Sequence, residues 1–366
     1  MNNMEENPVK VDAEWQKYTL DFKFDAGTSR GVLKTKDSYF LKIWRPSETG
    51  VVGWGEAGPL PKLSPEDGEN LAAVMDSYVY QLRKSTIPWS EEGILDFCST
   101  MIGKGFPSLR FAFETALLDL YHGGKRKLLD NAFYDGQEQI SINGLIWMGD
   151  TDFMLKQIED KLDQGFSCIK MKIGAINFEE ECRVLGYIRS RFSKDNITLR
   201  VDANGAFLPS EAMDKLRRLA AFDLHSIEQP IKAGQYEEMR QLCASSPLDI
   251  ALDEDLIGIE EVSDKAALLD TVRPPFIILK PTLVGGIRST REWIALAEER
   301  NIGWWMTSAL ESNIGLNAIA QLTSAFQVTL PQGLGTGQLY RNNVPSPLTI
   351  GNGSLSYHPE MGWGDI

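Results

Sequence analysis

The sequence predicts an α/β chain whose larger part is a (β/α)8-type parallel barrel, preceded by an α+β domain. Three observations carry this reading. From about residue 138 to 340 a short apolar strand, a turn and an amphipathic helix recur. The apolar runs are continuous and rich in β-branched residues, as in strands buried on both faces. Seven or eight such units fit the repeat number and length of a barrel, whereas an open doubly wound sheet would need fewer.

The first ~130 residues have a different pattern. KYTLDFKF, SRGVLKTKDSYFLKIWRP and VVGWGEAG alternate apolar and polar residues between polar turns, which predicts antiparallel strands. LAAVMDSYVYQLRK and PSLRFAFETALLDLYHGG then carry helical spacing, the second ending at Gly123. The barrel strands are expected at SINGLIWM (141–148), SCIKMKIG (167–174), ITLRVDAN (197–204), LHSIEQP (224–230), LDIALDE (248–254), FIILKP (276–281) and IGWWMTS (302–308). Helix-period stretches separate them, among them FMLKQIEDKLDQGF, FEEECRVLGYIRSRF, PSEAMDKLRRLAAF, IEEVSDKAALLD and REWIALAEER. The Gly/Pro-rich tail from Pro331 has no long helix and is expected to close the barrel and return to the first domain. The expected division is 1–135, completed by about 342–366, and 136–341.

The 366 residues are 43% hydrophobic and 24% charged, a globular composition that excludes disorder, collagen and coiled coil as whole-chain descriptions. Acidic residues outnumber basic ones by 51 to 37, and no Lys/Arg run offers a stripe for phosphates, so nucleic acid is not an expected partner. MNNMEENPVK lacks the basic start and apolar core of a signal peptide, and no apolar run is long enough for membrane insertion. Cys98, Cys168, Cys182 and Cys243 form no CxxC and read as reduced thiols of a cytoplasmic protein. His122, His225 and His358 are scattered, which argues against histidine-based catalysis. Oligomeric state has no sequence signal here.

In a barrel the catalytic groups lie at the C-terminal ends of the strands. Those ends carry Lys170 and Lys172, then Asp202, Glu228, Asp253, Lys280 and Ser308. Successive steps from Lys172 to Lys280 are 30, 26, 25 and 27 residues, one βα repeat each. Three carboxylates meeting at a barrel mouth repel one another unless a cation neutralises them. All-oxygen ligation fits Mg²⁺, with Mn²⁺ the alternative, rather than zinc, which prefers His and Cys. The competing explanation is that some of these acids cap helices. Lys170 and Lys172 are two residues apart and share a strand face. Close together, the two ammonium groups are expected to weaken each other's hold on a proton, the condition for a lysine general base. Lys170 is the one that could instead reach solvent.

These residues carry a family resemblance. K-M-K (170–172), V-D-A-N (201–204), E-Q-P (228–230), A-L-D-E (251–254) and L-K-P (279–281) resemble the muconate-lactonizing subgroup of the enolase superfamily. P-S-L-R-F-A-F-E-T-A (107–116), I-N-G-L-I-W-M-G (142–149), T-S-A-L-E-S-N-I-G-L (307–316) and G-L-G-T-G-Q-L-Y (333–340) are similar to the members that dehydrate a cyclohexadiene carboxylate in menaquinone-making bacteria. The resemblance implies a capping domain on a (β/α)7β barrel. It implies Mg²⁺ on Asp202, Glu228 and Asp253, with Lys172 and Lys280 facing a small carboxylate substrate from opposite sides. Lys170, Asn204, Ser308 and Gly335 are expected as supporting or substrate-contacting residues, and G-W-G-E-A-G-P-L-P (53–61) as a mobile capping loop.

The expected reaction is a carbon–oxygen lyase step: Lys172 removes the proton α to a metal-bound carboxylate and returns it to the departing hydroxyl. Lys280 supports the enolate as a cation. The alternative is racemisation of N-acylamino acids or epimerisation of dipeptides with the two lysines as opposed bases. Dipeptide epimerases carry acids at the eighth strand, where this chain has P-Q-G-L-G-T-G-Q (331–338). A non-catalytic binding barrel would lack some of the five charged strand ends, and none is missing. Residues 53–58 also match GxGxxG, but Pro59 and Pro61 forbid the helix a dinucleotide site requires.

Overall fold

The computed structural model describes residues 6–28, 31–147, 150–174 and 177–366. Met148 and Gly149, which end the I-N-G-L-I-W-M-G segment, and the first five residues of MNNMEENPVK lie outside the described residues.

β1 (Glu6–Val9) is followed by an antiparallel sheet of β2 (Asp12–Thr28), β3 (Gly31–Trp44) and β4 (Val52–Ala57). Then come α1 (Leu71–Lys84), β5 (Ile87–Trp89), which pairs with β1, α2 (Glu91–Met101) and α3 (Pro107–Tyr121). Helix α3 is buried all round from Pro107 to Leu120, its Arg110, Glu114 and Asp119 included, because sheet lies on one side and barrel helices on another. Its contact with β4 depends on Gly53 and Gly55, where a Cβ would run into the backbone oxygens of Ala116 and Ala112. VVGWGEAG is thus the strand its pattern predicts, as far as Ala57, and the mobile loop that the resemblance implies for 53–61 does not include 53–57. Residues 58–70 of this region are irregular, and no helix opens directly at the end of β4 to support a dinucleotide site.

After β6 (Ile140–Ser141) the barrel runs β7 (Gly144–Ile146), α4 (Thr151–Asp163), β8 (Cys168–Lys172), α5 (Phe178–Arg191), β9 (Thr198–Asp202), α6 (Pro209–Ala220) and β10 (Ser226–Glu228). It continues with α7 (Tyr236–Ser245), β11 (Ile250–Leu252), α8 (Val262–Val272), β12 (Phe276–Leu279), α9 (Pro281–Val284), α10 (Gly286–Glu299), β13 (Gly303–Met306) and α11 (Asn313–Ser324). The seven strands β7 to β13 form one parallel sheet in sequence order. Gln332 and Gly333 join its two edges. Gln332 donates to Ser141 O at 2.8 Å and accepts from Asn143 N at 2.9 Å. Gly333 donates to Met306 O at 2.7 Å and accepts from Ser308 N at 3.1 Å. The eighth stave is two residues long, giving the (β/α)7β barrel.

The tail then passes along β2, with Lys23 N donating to Leu339 O at 2.8 Å and Arg341 N to Asp21 O at 2.9 Å. It ends in the hairpin β14 (Leu348–Gly351) and β15 (Ser354–Tyr357), which pairs with β6. On the other side Glu114 of α3, fully buried, accepts the Ile287 N–H in the first turn of α10 at 2.5 Å. Gly286 leaves room for that carboxylate.

Candidate active site

The expected strand ends converge. Lys172, Asp202 and Glu228 are direct register partners across β8, β9 and β10. Glu228 pairs with Ala251, which pairs with Phe276, so Asp253 and Lys280 sit two and four residues further along their strands. Barrel staves tilt against the axis, and this stepwise offset brings all five groups to one level. β8 is the second stave and β12 the sixth of eight, so Lys172 and Lys280 come from opposite walls.

Asp202, Glu228, Asp253 and Lys280 are buried, as is Lys170. Lys170 pairs with Glu228 and, at 3.0 Å, with Asp202 Oδ2. Lys172 donates to the same Oδ2 at 2.9 Å and to Asn204 Oδ1 at 2.8 Å. Lys280 pairs with Asp253 and lies 3.8 Å from Glu228 Oε1. Burial opposes the Lys170 charge, but Asp202 and Glu228 outweigh it and raise its pKa above the usual lysine value. This is the reverse of the weakening expected from Lys172, because two carboxylates lie against the Lys170 ammonium. Burial likewise opposes the Asp202 charge, yet Lys170, Lys172 and Lys280 hold its pKa below the usual range. Burial and then the neighbouring Asp202 push Glu228 up to about 8. Asp253 is also raised, by burial.

The residues present fit a hard divalent cation. The donors are all carboxylate oxygens, buried and crowded enough to raise two of the three acids. Glu228 Oε1 is buried with no hydrogen-bond partner. Among the described residues no three such side chains close into a ligand cage, since Lys170 and Lys280 lie against the carboxylates. Backbone geometry sets the loops that carry them. Asn204 and Gln229 hold positive φ angles of 44° and 40°. Gln229, fully buried, accepts from the Asp253 N–H at 3.1 Å and donates to Asp255 at 2.7 Å, which orients the turn after β11.

Above this cluster lies a cavity of about 510 Å³ between barrel and N-terminal sheet. Lys172, Lys280, Asp202, Asn204, Ser308 and Gly335 line its barrel side. Phe24, Leu33, Leu60 and Leu63 close over it from the N-terminal region.

Residues 154–365 match the family described as Enolase C-terminal domain-like. The chain belongs to the enolase superfamily. It is 46% identical to the o-succinylbenzoate synthase of Desulfotalea psychrophila, over 94% of this chain and 98% of that protein. The crystal structure of MenC from the same organism superposes with a TM-score of 0.83 at 42% identity, covering 95% of this chain and all of the other. A dipeptide epimerase from Enterococcus faecalis, solved with Mg and the dipeptide L-Leu-L-Tyr, shares the fold at TM-score 0.81 and 22% identity, over 98% of this chain and 100% of that one.

In this enolase-superfamily chain Ser308 is a brace of the cavity wall. Its hydroxyl donates to Glu311 at 2.5 Å and accepts from Thr336 at 2.7 Å and from Leu310 N at 3.1 Å, so its one proton is committed. Gly335 lines the cavity, but a Cβ there would make only ordinary contacts. Gly333 is the glycine the geometry requires, because a Cβ would collide with Thr307. Glu56 of β4 accepts from Ser312 N and Gly315 N, both at 2.9 Å, from Ser312 Oγ at 2.5 Å and from Ser38 at 2.7 Å. It thereby caps α11 from across the interface. The buried Lys36 lies beside Glu56 and Glu311. Sequence reasoning passed over Asn143, Thr307 and Lys161, which also line the cavity. The signal for Asn143 was available: Leu145 is level with Lys170, so a residue two positions earlier points inward too.

Proposed function

We propose that the chain is an o-succinylbenzoate synthase, removing water from 2-succinyl-6-hydroxy-2,4-cyclohexadiene-1-carboxylate in menaquinone biosynthesis. The observation that carries this choice is the 46% identity over nearly the whole chain to a protein of that name. The machinery is the pair of lysines from opposite staves flanking three buried carboxylates.

Asp202, Glu228 and Asp253 would hold Mg²⁺, which supplies positive charge to the substrate carboxylate as negative charge develops on it. Lys172, as the free amine, takes the proton from ring carbon C1. The resulting ammonium gives that proton to the hydroxyl leaving C6 on the same face, so water departs and the ring becomes aromatic. Lys280 faces the other side of the ring and stabilises the enolate as a cation. Asn204 holds the Lys172 nitrogen through its amide oxygen, while its own Nδ2 donates to Glu254 at 3.1 Å. The wall around Ser308 and Thr336 excludes water. The four cysteines are unbonded, three of them buried, which supports a reducing, cytoplasmic setting. No helix is long and apolar enough to cross a membrane among the described residues.

Opposed lysines also suit a two-base racemisation of N-acylamino acids. A dipeptide's ammonium would find no acid along residues 331–338. Purified protein with Mg²⁺ should convert the cyclohexadiene substrate to o-succinylbenzoate. Absence of that conversion, alongside fast racemisation of an N-succinylamino acid, would overturn the assignment.

A further inference from the structure

The proposed substrate carries two carboxylates, and the metal cluster accounts for only the one on the ring. The second ends a four-carbon chain, and a buried carboxylate requires donors and a compensating charge. The cavity extends beyond the catalytic lysines, past Leu145 and Trp147, to Lys161 on α4 and to Asn143 before β7. Lys161 is half-buried, lies 4.9 Å from the centroid of the Phe166 ring and donates to Gln164 at 3.3 Å. Among the described residues no carboxylate lies within ion-pair distance of it. Burial lowers its pKa, with the charge of Asp160 opposing. Two further polar side chains of this cavity each hold a buried atom with no hydrogen bond. Asn143 Oδ1, on a residue only 4% exposed, and Thr307 Oγ1 are buried without a hydrogen bond.

We propose that Lys161, Asn143 and Thr307 form the subsite for the terminal carboxylate of the substrate's succinyl chain. This rests on the assigned substrate class. Lys161 supplies the charge, the Thr307 hydroxyl and the Nδ2 of Asn143 supply donors, and Leu145 and Trp147 cover the methylenes. The seam between β7 and the two-residue eighth stave is what lets the chain reach α4, because above Asn143 the edge of β7 has no stave beside it. Binding that reads the chain's end rather than the reacting ring also admits other succinyl-bearing acids at the same site.

The test compares two ligands with the Mg²⁺-loaded protein by calorimetry: o-succinylbenzoate, and 2-butanoylbenzoate, which lacks the terminal carboxylate. The parent should prefer the first by roughly tenfold to a hundredfold, the size of a charge-assisted hydrogen bond. Lys161→Met, which keeps length and loses charge, should bring the two within about threefold of each other, and Lys161→Arg should restore most of the preference. Asn143→Leu should also reduce it. A preference that survives Lys161→Met, or a parent that does not discriminate, overturns the subsite. A parent that discriminates but does not dehydrate the cyclohexadiene substrate leaves the subsite standing and removes the assigned reaction instead.

Discussion

Lys170 and Lys172 converge on a single carboxylate oxygen, Asp202 Oδ2, at 3.0 and 2.9 Å. Their side chains share a strand face, but an acid sits between their charges. Lys170 spends its charge on Asp202 and Glu228, while Lys172 divides its hydrogen bonds between Asp202 and the neutral amide of Asn204. Both lysines line the cavity, but Lys172 is the less encumbered and the more accessible of the two, with 13% of its side chain exposed against 7% for Lys170.

Each acid of the cluster should matter separately for the cation. Asp202→Asn, Glu228→Gln and Asp253→Asn should each weaken Mg²⁺ binding by at least about a hundredfold, since even indirect partners of a ligand are worth 10- to 100-fold. Calorimetric titration of the three variants measures this. A variant that binds as the parent does would remove that residue from the ligand set.

Lys172→Ala and Lys280→Ala should each reduce kcat for dehydration by roughly 10²- to 10⁴-fold, the range for a lost acid–base group. Circular dichroism should show the fold intact. In D₂O the Lys172 variant should also stop exchange of the substrate α-proton. Exchange that persists at the parental rate would assign the base elsewhere.

Gly55→Ala should destabilise the protein by about 3 kcal/mol or more, because its Cβ must displace the backbone of α3 at Ala112. Urea unfolding reads the loss. A neutral effect would restore the loop interpretation of 53–57.

Glu114 supplies a pH test. Burial raises its pKa from the ordinary glutamate value to about 8 in the folded chain. Between the unfolded value, near 4.5, and 8 the folded state holds a proton that the unfolded state has lost, so stability falls as pH rises across that window. Glu114→Gln keeps the shape and cannot ionise. Relative to it the parent should lose up to a few kcal/mol between pH 5 and pH 8. Parallel stability curves for the two proteins would contradict the raised value.

The site was legible because a barrel repeats. One βα unit separates each charged strand end from the next, so Lys172, Asp202, Glu228, Asp253 and Lys280 stood in register on paper. The resemblance then supplied the (β/α)7β form. Features that depend on backbone alone were hidden. Gln332–Gly333 closes the barrel with four hydrogen bonds and carries no apolar run to mark a strand. The strand at Gly53 and Gly55 was legible, but its close packing on α3 was not, because a glycine leaves no side chain to show it. The pairing of Glu56 with Ser312 spans 256 positions and has no local pattern at all.

The short closing stave also sets the order in which the molecule can be made. Gln332 leaves the ribosome after nine-tenths of the chain has been synthesised, and until then β7 and β13 are the bare edges of an open sheet. The strand β2, made near the start, waits longer still for residues 339–342. A nascent chain is thus exposed to edge-to-edge association from the making of β7 until residue 332, about half of the sequence, and one truncated before residue 332 would carry that exposure permanently.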